Sequence, residues 1–280
     1  MSRLHHIAAL WSTTHYPTKE AEWTLEQKVA DAKQAGFVGV ATGANAELRA
    51  IAQKHGMAVL GYVSSGKPAE FAAAIKANQD MGAQFINVQL ADEDTLTPEA
   101  LGLALLVLQE GRRQGVELGI EVHRDTCTET PEKTYALADA YQKVTGELLP
   151  MTWDFSHLSV VKHLYPRNYV ERLIVRPDLI QHAQQFHFRP FNGHHCQVPV
   201  TDGKGNLSQE VKDYLPFVEA VLKCWLAGQG NADRDIFAIP EMGPVAGGYN
   251  LSTLPNSWED AKVLRVEIDK IWQKLTTKGN

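Results

Sequence analysis

Four short runs of this 280-residue chain end in side chains able to hold or move charge: Glu121-Val-His123, Asp154-Phe-Ser-His157, His187-Phe-Arg189 and Pro240-Glu241. Each closes an apolar stretch. A carboxylate in that position is costly to bury unless it is paired or ligated. One divalent cation would satisfy Glu121, Asp154, His187 and Glu241 together. Carboxylates plus an imidazole, with coordination positions left open, suit Mn²⁺ or Mg²⁺ and also admit Zn²⁺ or Co²⁺. Singly, each residue has an ordinary reading: a carboxylate can cap a helix or join a buried ion pair, and His187 between two phenylalanines can be a core histidine. Their recurrence at the ends of four consecutive apolar runs is what points to a shared metal site.

Side chains alternate faces along a strand, so Glu121 and His123 point the same way, as do His187 and Arg189. His123 and Arg189 are therefore expected to face a pocket just above the ligands, with His157 beside it. Trp11 and His15, after the first apolar run, are candidates for an apolar wall. Trp11, His123, His157 and Arg189 are thus the expected substrate-binding residues. His5, His6, His55, His163 and His182 read as structural or surface positions.

Something must carry these residues to one rim. Short apolar runs at 4–11, 37–42, 57–63, 84–90, 116–122, 150–155, 184–188 and 235–240 alternate with helical periods along the whole chain. The runs are apolar nearly throughout, as strands buried on both faces are. Val211, Leu215, Val218, Leu222 and Trp225 form one helical stripe, and Leu264, Ile268, Ile271 and Leu275 form another. Thr24-Leu-Glu-Gln27 reads as a capping box. Thr97-Pro98-Glu99 and Thr130-Pro131-Glu132 place a hydroxyl at an N-cap and proline at the first helical position. Gly36, Gly56, Gly82, Gly115 and Gly146 sit where a left-handed residue would end a helix before the next strand. A helical stretch within 168–183 is interrupted by Pro177.

Eight such units without a linker predict a single (β/α)8 TIM barrel over residues 1–280, whose chemistry lies at the C-terminal strand ends. A doubly wound sheet is disfavoured, because Trp11-Ser-Thr-Thr-His-Tyr-Pro stands where a Gly-x-Gly-x-x-Gly turn would follow the first strand. The polar connection 190–206, containing His194-His195, is long enough to be expected as a lid or a subunit contact.

Composition narrows the function classes. Lys and Arg number 27 against 33 Asp and Glu, a net charge of −6 that argues against a nucleic-acid partner. Cys127, Cys196 and Cys224 show no paired spacing, so no disulfide framework is expected. No apolar run suits a signal peptide or a membrane span, and a cytoplasmic location is expected.

Glu121-Val-His123, Asp154-x-x-His157, His187 and Glu241 together resemble the metal-site pattern of the xylose isomerase-like TIM barrels. That superfamily includes ketose 3-epimerases, inosose dehydratases, hydroxypyruvate isomerases, sugar-acid lyases and apurinic endonucleases. The resemblance implies metal ligation by Glu121, Asp154, His187 and Glu241, with His157 near the metal or the substrate. Strands three and four end Val63-Ser64-Ser65 and Val88-Gln89-Leu90, without the additional histidines of the apurinic endonucleases. His187-Phe-Arg189-Pro190 stands where many relatives have a His-x-Lys-Asp-like run.

The expected activity is isomerisation or epimerisation of a small keto-sugar or sugar derivative. A base would remove the proton next to a carbonyl, with a metal-stabilised enediolate as intermediate. Glu121 and Glu241 are the candidate base and acid, each binding the ion through one oxygen and keeping the other free. A lyase, dehydratase or hydratase on a keto-sugar uses the same residues and is the alternative. A phosphodiester hydrolase would need further metals and a basic groove. The expected partners are a small carbohydrate and other copies of the chain, as a dimer or tetramer, with no nucleic acid and no membrane.

Overall fold

The computed structural model describes residues 2–277. Eight strands close a barrel in sequence order: β1 (Leu4–Ala9), β2 (Gly39–Ala41), β3 (Ala58–Ser65), β4 (Ala83–Leu90), β5 (Glu117–Glu121), β6 (Met151–Asp154), β7 (Gln185–Phe188) and β8 (Ile236–Pro240). Every neighbour is parallel, and β8 returns to pair with β1. Each of the eight apolar runs coincides with one of these strands, although β3 runs two residues past its expected end, to Ser65, and β4 begins one residue early, at Ala83. The first ends two residues sooner than expected. Leu10–Thr13 leaves the sheet as a 3-10 turn, which lifts Trp11 over the mouth of the barrel.

The helices are α1 (Leu25–Gln34), α2 (Leu48–His55), α3 (Pro68–Asp80), α4 (Thr97–Gln114), α5 (Pro131–Thr145), α6 (Phe155–Val161), α7 (Tyr169–Leu173), α8 (Pro177–His182), α9 (Gln209–Leu226) and α10 (Ser257–Thr277). The Thr24–Gln27 capping box is formed, and Thr130 accepts from the Lys133 backbone amide. At α4 the hydroxyl cap is not made. Thr97 is already inside the helix, and Leu96 stands at the cap without a side-chain hydrogen bond. Pro177 opens α8 rather than breaking a longer helix, so the stretch after β6 is three short helices. Gly36, Gly56, Gly82, Gly115 and Gly146 all adopt positive φ. The α9 stripe is buried at Val211, Val218, Leu222 and Trp225. No helix among the described residues is long and apolar enough to cross a membrane.

Inside the barrel, Ile7, Ala9, Leu60, Phe85, Phe237 and Ile239 form an apolar plug. Its register leaves room at one point only because β5 carries glycine. A Cβ on Gly119 would lie 2.8 Å from both the Phe85 ring and Thr152 Oγ1. Above the plug, Asp154 is in register with His187, and Glu121 with Thr152.

The connection 190–206 is fastened to the barrel rather than free. Phe191, Val198 and Val200 are buried. Asp260 of α10 accepts from Val200 N at 2.7 Å, Thr201 N at 3.2 Å and Thr201 Oγ1 at 2.8 Å. Gln197 bonds both the N–H and the C=O of Gly243, which ties this connection to the segment leaving Glu241.

His6 on β1 supplies a pH dependence outside the cavity. Burial pushes its imidazole from 6.5 down to about 4, against the pull of Asp269, whose Oδ1 is 3.3 Å away; Arg265 and His5 reinforce the shift. Unfolded chains therefore take up this proton first as the pH falls. Stability should drop by up to about 3 kcal/mol between roughly pH 6.5 and pH 4 and level off below. Urea unfolding across that range should show the drop in the native protein and a smaller one in His6→Gln.

Candidate metal centre

Each candidate ligand owes its position to a strand end and its direction to a neighbour. Asp154 closes β6 and also caps α6, its Oδ1 accepting from Ser156 N at 2.9 Å. The other oxygen, Oδ2, is buried without a hydrogen bond, 3.1 Å from Arg189 Nη2 and 3.4 Å from His157 Nε2. The helix cap therefore uses one oxygen of this residue and leaves the other available to a cation. Glu121 is held by β4, with Asn87 Nδ2 donating to its Oε2 at 2.6 Å. Its Oε1 lies 2.9 Å from His187 Nδ1, which is also 2.8 Å from Glu241 Oε2. The second ring nitrogen of His187 meets the Gln185 amide at 2.7 Å. Gln185 thus fixes the ring and leaves Nδ1 to the carboxylates, the usual service of an outer partner to a ligating histidine.

Ligand atoms of Glu121, Asp154, His187 and Glu241 all lie within 4.8 Å of one another. A cation at about 2.0–2.2 Å from each donor separates opposite donors by roughly 4.4 Å. The set therefore closes on one ion with small side-chain shifts. One of its atoms, Asp154 Oδ2, is a buried polar atom without a hydrogen bond, and another, His187 Nδ1, faces the carboxylates of Glu121 and Glu241 at once. These residues fit one divalent metal ion.

Burial opposes the charge on every group here, and neighbours overrule it. Burial alone would raise Glu121, but His187, with its hydrogen bond, and His123 hold it below the usual carboxylate range, against the charge of Glu241. Glu241 is likewise raised by burial and lowered more strongly by His187 and Arg189, to about 2. His187 moves up, because Glu241 and Glu121 outweigh its burial. A proton on His187 and the guanidinium of Arg189 are the cations that these carboxylates gather on their own.

A cavity of about 500 Å³ opens above the cluster, walled by Trp11, Tyr62, Gln89, His123, Arg124 and Tyr249 among others. His123 and Arg189 both line it, as the alternation of side chains requires. The His123 ring packs against that of His157 at 4.3 Å, tilted by 57°, and its Nε2 is 3.4 Å from Tyr249 Oη. Burial, aided by His157, lowers its pKa. His157 Nε2 meets Asp154 Oδ2 at 3.4 Å, and neither His157 nor His15 is among the residues lining the cavity.

Sequence reasoning passed over Asn87, Gln185 and Tyr249. The first two carried a signal: each is an amide inside an apolar strand, and Gln185 precedes His187 by two residues, hence on the same face. Tyr249 lies in the connection after β8, where no periodicity marks it. Its ring takes the guanidinium groups of Arg124 at 4.4 Å and Arg189 at 4.3 Å, with Trp11 edge-on at 5.3 Å.

No family model and no curated protein matches the sequence. Solved structures do share the architecture. A D-allulose 3-epimerase from Methylomonas sp. in complex with D-allulose is 13% identical, over 98% of this chain and 98% of that one, with a TM-score of 0.59. A 3-keto-D-glucoside 4-epimerase from E. coli is 13% identical over 98% and 100%, with a TM-score of 0.57. A xylose isomerase-like TIM barrel protein from Mycobacterium smegmatis, in complex with magnesium, is 14% identical over 95% and 97%, with a TM-score of 0.56. At these identities the likeness is one of fold, and it is the fold that the sequence resemblance implies.

Calorimetric titration with Mn²⁺ should read the two layers of the centre separately. Asp154→Asn keeps the helix cap and should abolish binding, whereas Gln185→Ala should weaken it by about 10–100-fold. Unchanged affinity in both variants would remove the ion from this cluster.

Proposed function

We propose that this protein is a metal-dependent isomerase or epimerase of a small keto-sugar or sugar derivative, working by removal of a proton next to a carbonyl. The observation that carries the reading is the convergence of Glu121, Asp154, His187 and Glu241 beneath a cavity with aromatic walls. Its size falls within the usual range for small-molecule sites. Aromatic faces such as Trp11 and Tyr249 suit the C–H surface of a sugar, while Gln89 and His123 offer hydrogen bonds to hydroxyls. The fold shared with sugar epimerases supports the same reading.

A divalent ion bound at the cluster would act as a Lewis acid toward a substrate carbonyl and so acidify the neighbouring C–H. The chain supplies the rest. Glu241 is the base in this reading, since only its Oε2 is engaged, by His187 and Arg189, among the described residues. Glu121 has Oε1 toward His187 and Oε2 bonded to Asn87, so it serves as a ligand with no oxygen to spare. Arg189, buried at the cavity edge, is placed to hold the oxygen on which negative charge builds. Trp11 and Tyr249 limit the access of water.

One available base favours isomerisation, in which a single carboxylate carries the proton between neighbouring carbons, over a two-base inversion. It equally favours the second reading, a lyase that loses a β-hydroxyl after the same first step, and for that reason the lyase is retained.

Proton NMR in D₂O with Mn²⁺ and a panel of ketohexoses and 3-keto sugars tests the proposal. Deuterium entering one carbon with aldose formation marks an isomerase, an inverted centre an epimerase, and loss of water a lyase. Glu241→Gln should lose at least ~10²-fold in exchange rate, while Glu121→Gln should chiefly weaken the metal. Near-normal turnover in metal-loaded Glu241→Gln would overturn the assignment of the base.

A further inference from the structure

Arg189 occupies ground that a bound cation would contest. Its Nη2 lies 3.1 Å from Asp154 Oδ2 and 2.8 Å from Glu241 Oε2, so one guanidinium nitrogen spans two of the four groups suited to hold the ion. The side chain is 1% exposed. A dication ligated by the same two oxygens would stand within a few ångströms of that nitrogen, in an interior where like charges are poorly screened.

We infer that Arg189 is the internal counter-ion of the metal-free centre and a built-in competitor of the metal, displaced toward the cavity when the ion binds. The inference rests on the metal site of the preceding section and adds what sets its affinity.

Three further observations support it. The perch on the two carboxylates satisfies only part of the guanidinium: Nε and Nη1 are buried with no hydrogen-bond partner. Unsatisfied donors on a buried cation are costly, so the metal-free position is held by charge rather than by fit. A landing place is also at hand. The Tyr249 ring is 4.3 Å from Cζ and the Trp11 ring 5.7 Å, and both belong to the cavity wall. A short swing keeps the cation against aromatic faces while its free donors turn to the cavity.

The balance of charge points the same way. Glu121, Asp154 and Glu241 gather three carboxylates at the centre, and the Arg189 guanidinium reaches two of them. Removing Arg189 makes the centre more negative by one charge, with or without metal. That destabilises the metal-free protein and strengthens its hold on a cation. Binding linkage then requires that whatever draws Arg189 off the carboxylates, such as an anionic substrate oxygen, also tightens the metal.

Mn²⁺ titration by calorimetry and thermal unfolding, with and without Mn²⁺, read this without any substrate. Arg189→Met should bind Mn²⁺ at least tenfold more tightly than the native protein. It should melt at a lower temperature without metal and gain more on adding it. Arg189→Lys, which keeps the charge but not the fork, should fall between the two and remains measurable if the methionine variant folds only with metal. Equal or weaker Mn²⁺ binding in both variants, with the native protein binding normally, overturns the inference and leaves the metal site standing. Binding by none of the three proteins, with Mg²⁺, Zn²⁺ and Co²⁺ also tried, overturns the metal site and the inference with it.

Discussion

Three buried carboxylates at one end of a closed barrel are the constraint on which the rest depends. Glu121 and Asp154 are almost wholly enclosed, and Glu241 nearly so. Charges of one sign, brought this close away from water, hold together only if cations are brought with them. His187 lies on β7 and Arg189 one residue beyond it, between β6, which ends at Asp154, and β8, which leads into Glu241. Alternation along this run sends Gln185, His187 and Arg189 to one face, so one stretch supplies the candidate ligand, the group that orients it and the counter-charge. The plug of Phe85 and Phe237 closes the barrel beneath and keeps the cluster from sharing its charge with water below.

The fold was legible because its signals are local. Apolar runs of strand length, proline and hydroxyl caps, and glycines with positive φ each act over a few residues, and the eight units repeat them. The convergence of Glu121, Asp154, His187 and Glu241 was legible for a related reason: an ionisable residue closing a buried strand has few ordinary explanations. Thr97 shows where local reading stops, since the helix there begins one residue earlier than its hydroxyl suggests and the cap is not formed.

Much of what escaped was defined by a partner far away in sequence. The distance from Asn87 to Glu121, or from Gln197 to Gly243, is not encoded near either residue. The connection 190–206 has the glycine and polar content of a mobile lid. Yet Asp260, contributed by the last helix, gathers Val200 and Thr201 and pins it down. His157 obeys the local logic: its spacing from Asp154 puts it beside that carboxylate, while His123, which packs against it, is the ring that lines the cavity.

Glu121 and Glu241 illustrate how two identical side chains in one ring are given different work by their neighbours. Glu121 is gripped by an amide from the preceding strand. Asn87 can donate but cannot be displaced by a proton, so that oxygen stays a hydrogen-bond acceptor. Both glutamates meet His187 Nδ1, Glu121 through Oε1 at 2.9 Å and Glu241 through Oε2 at 2.8 Å. They differ in the second partner, which is the neutral Asn87 amide at Glu121 and the Arg189 guanidinium at Glu241. The amide fixes an oxygen without adding charge, whereas the guanidinium brings a positive charge to the oxygen that His187 already shares.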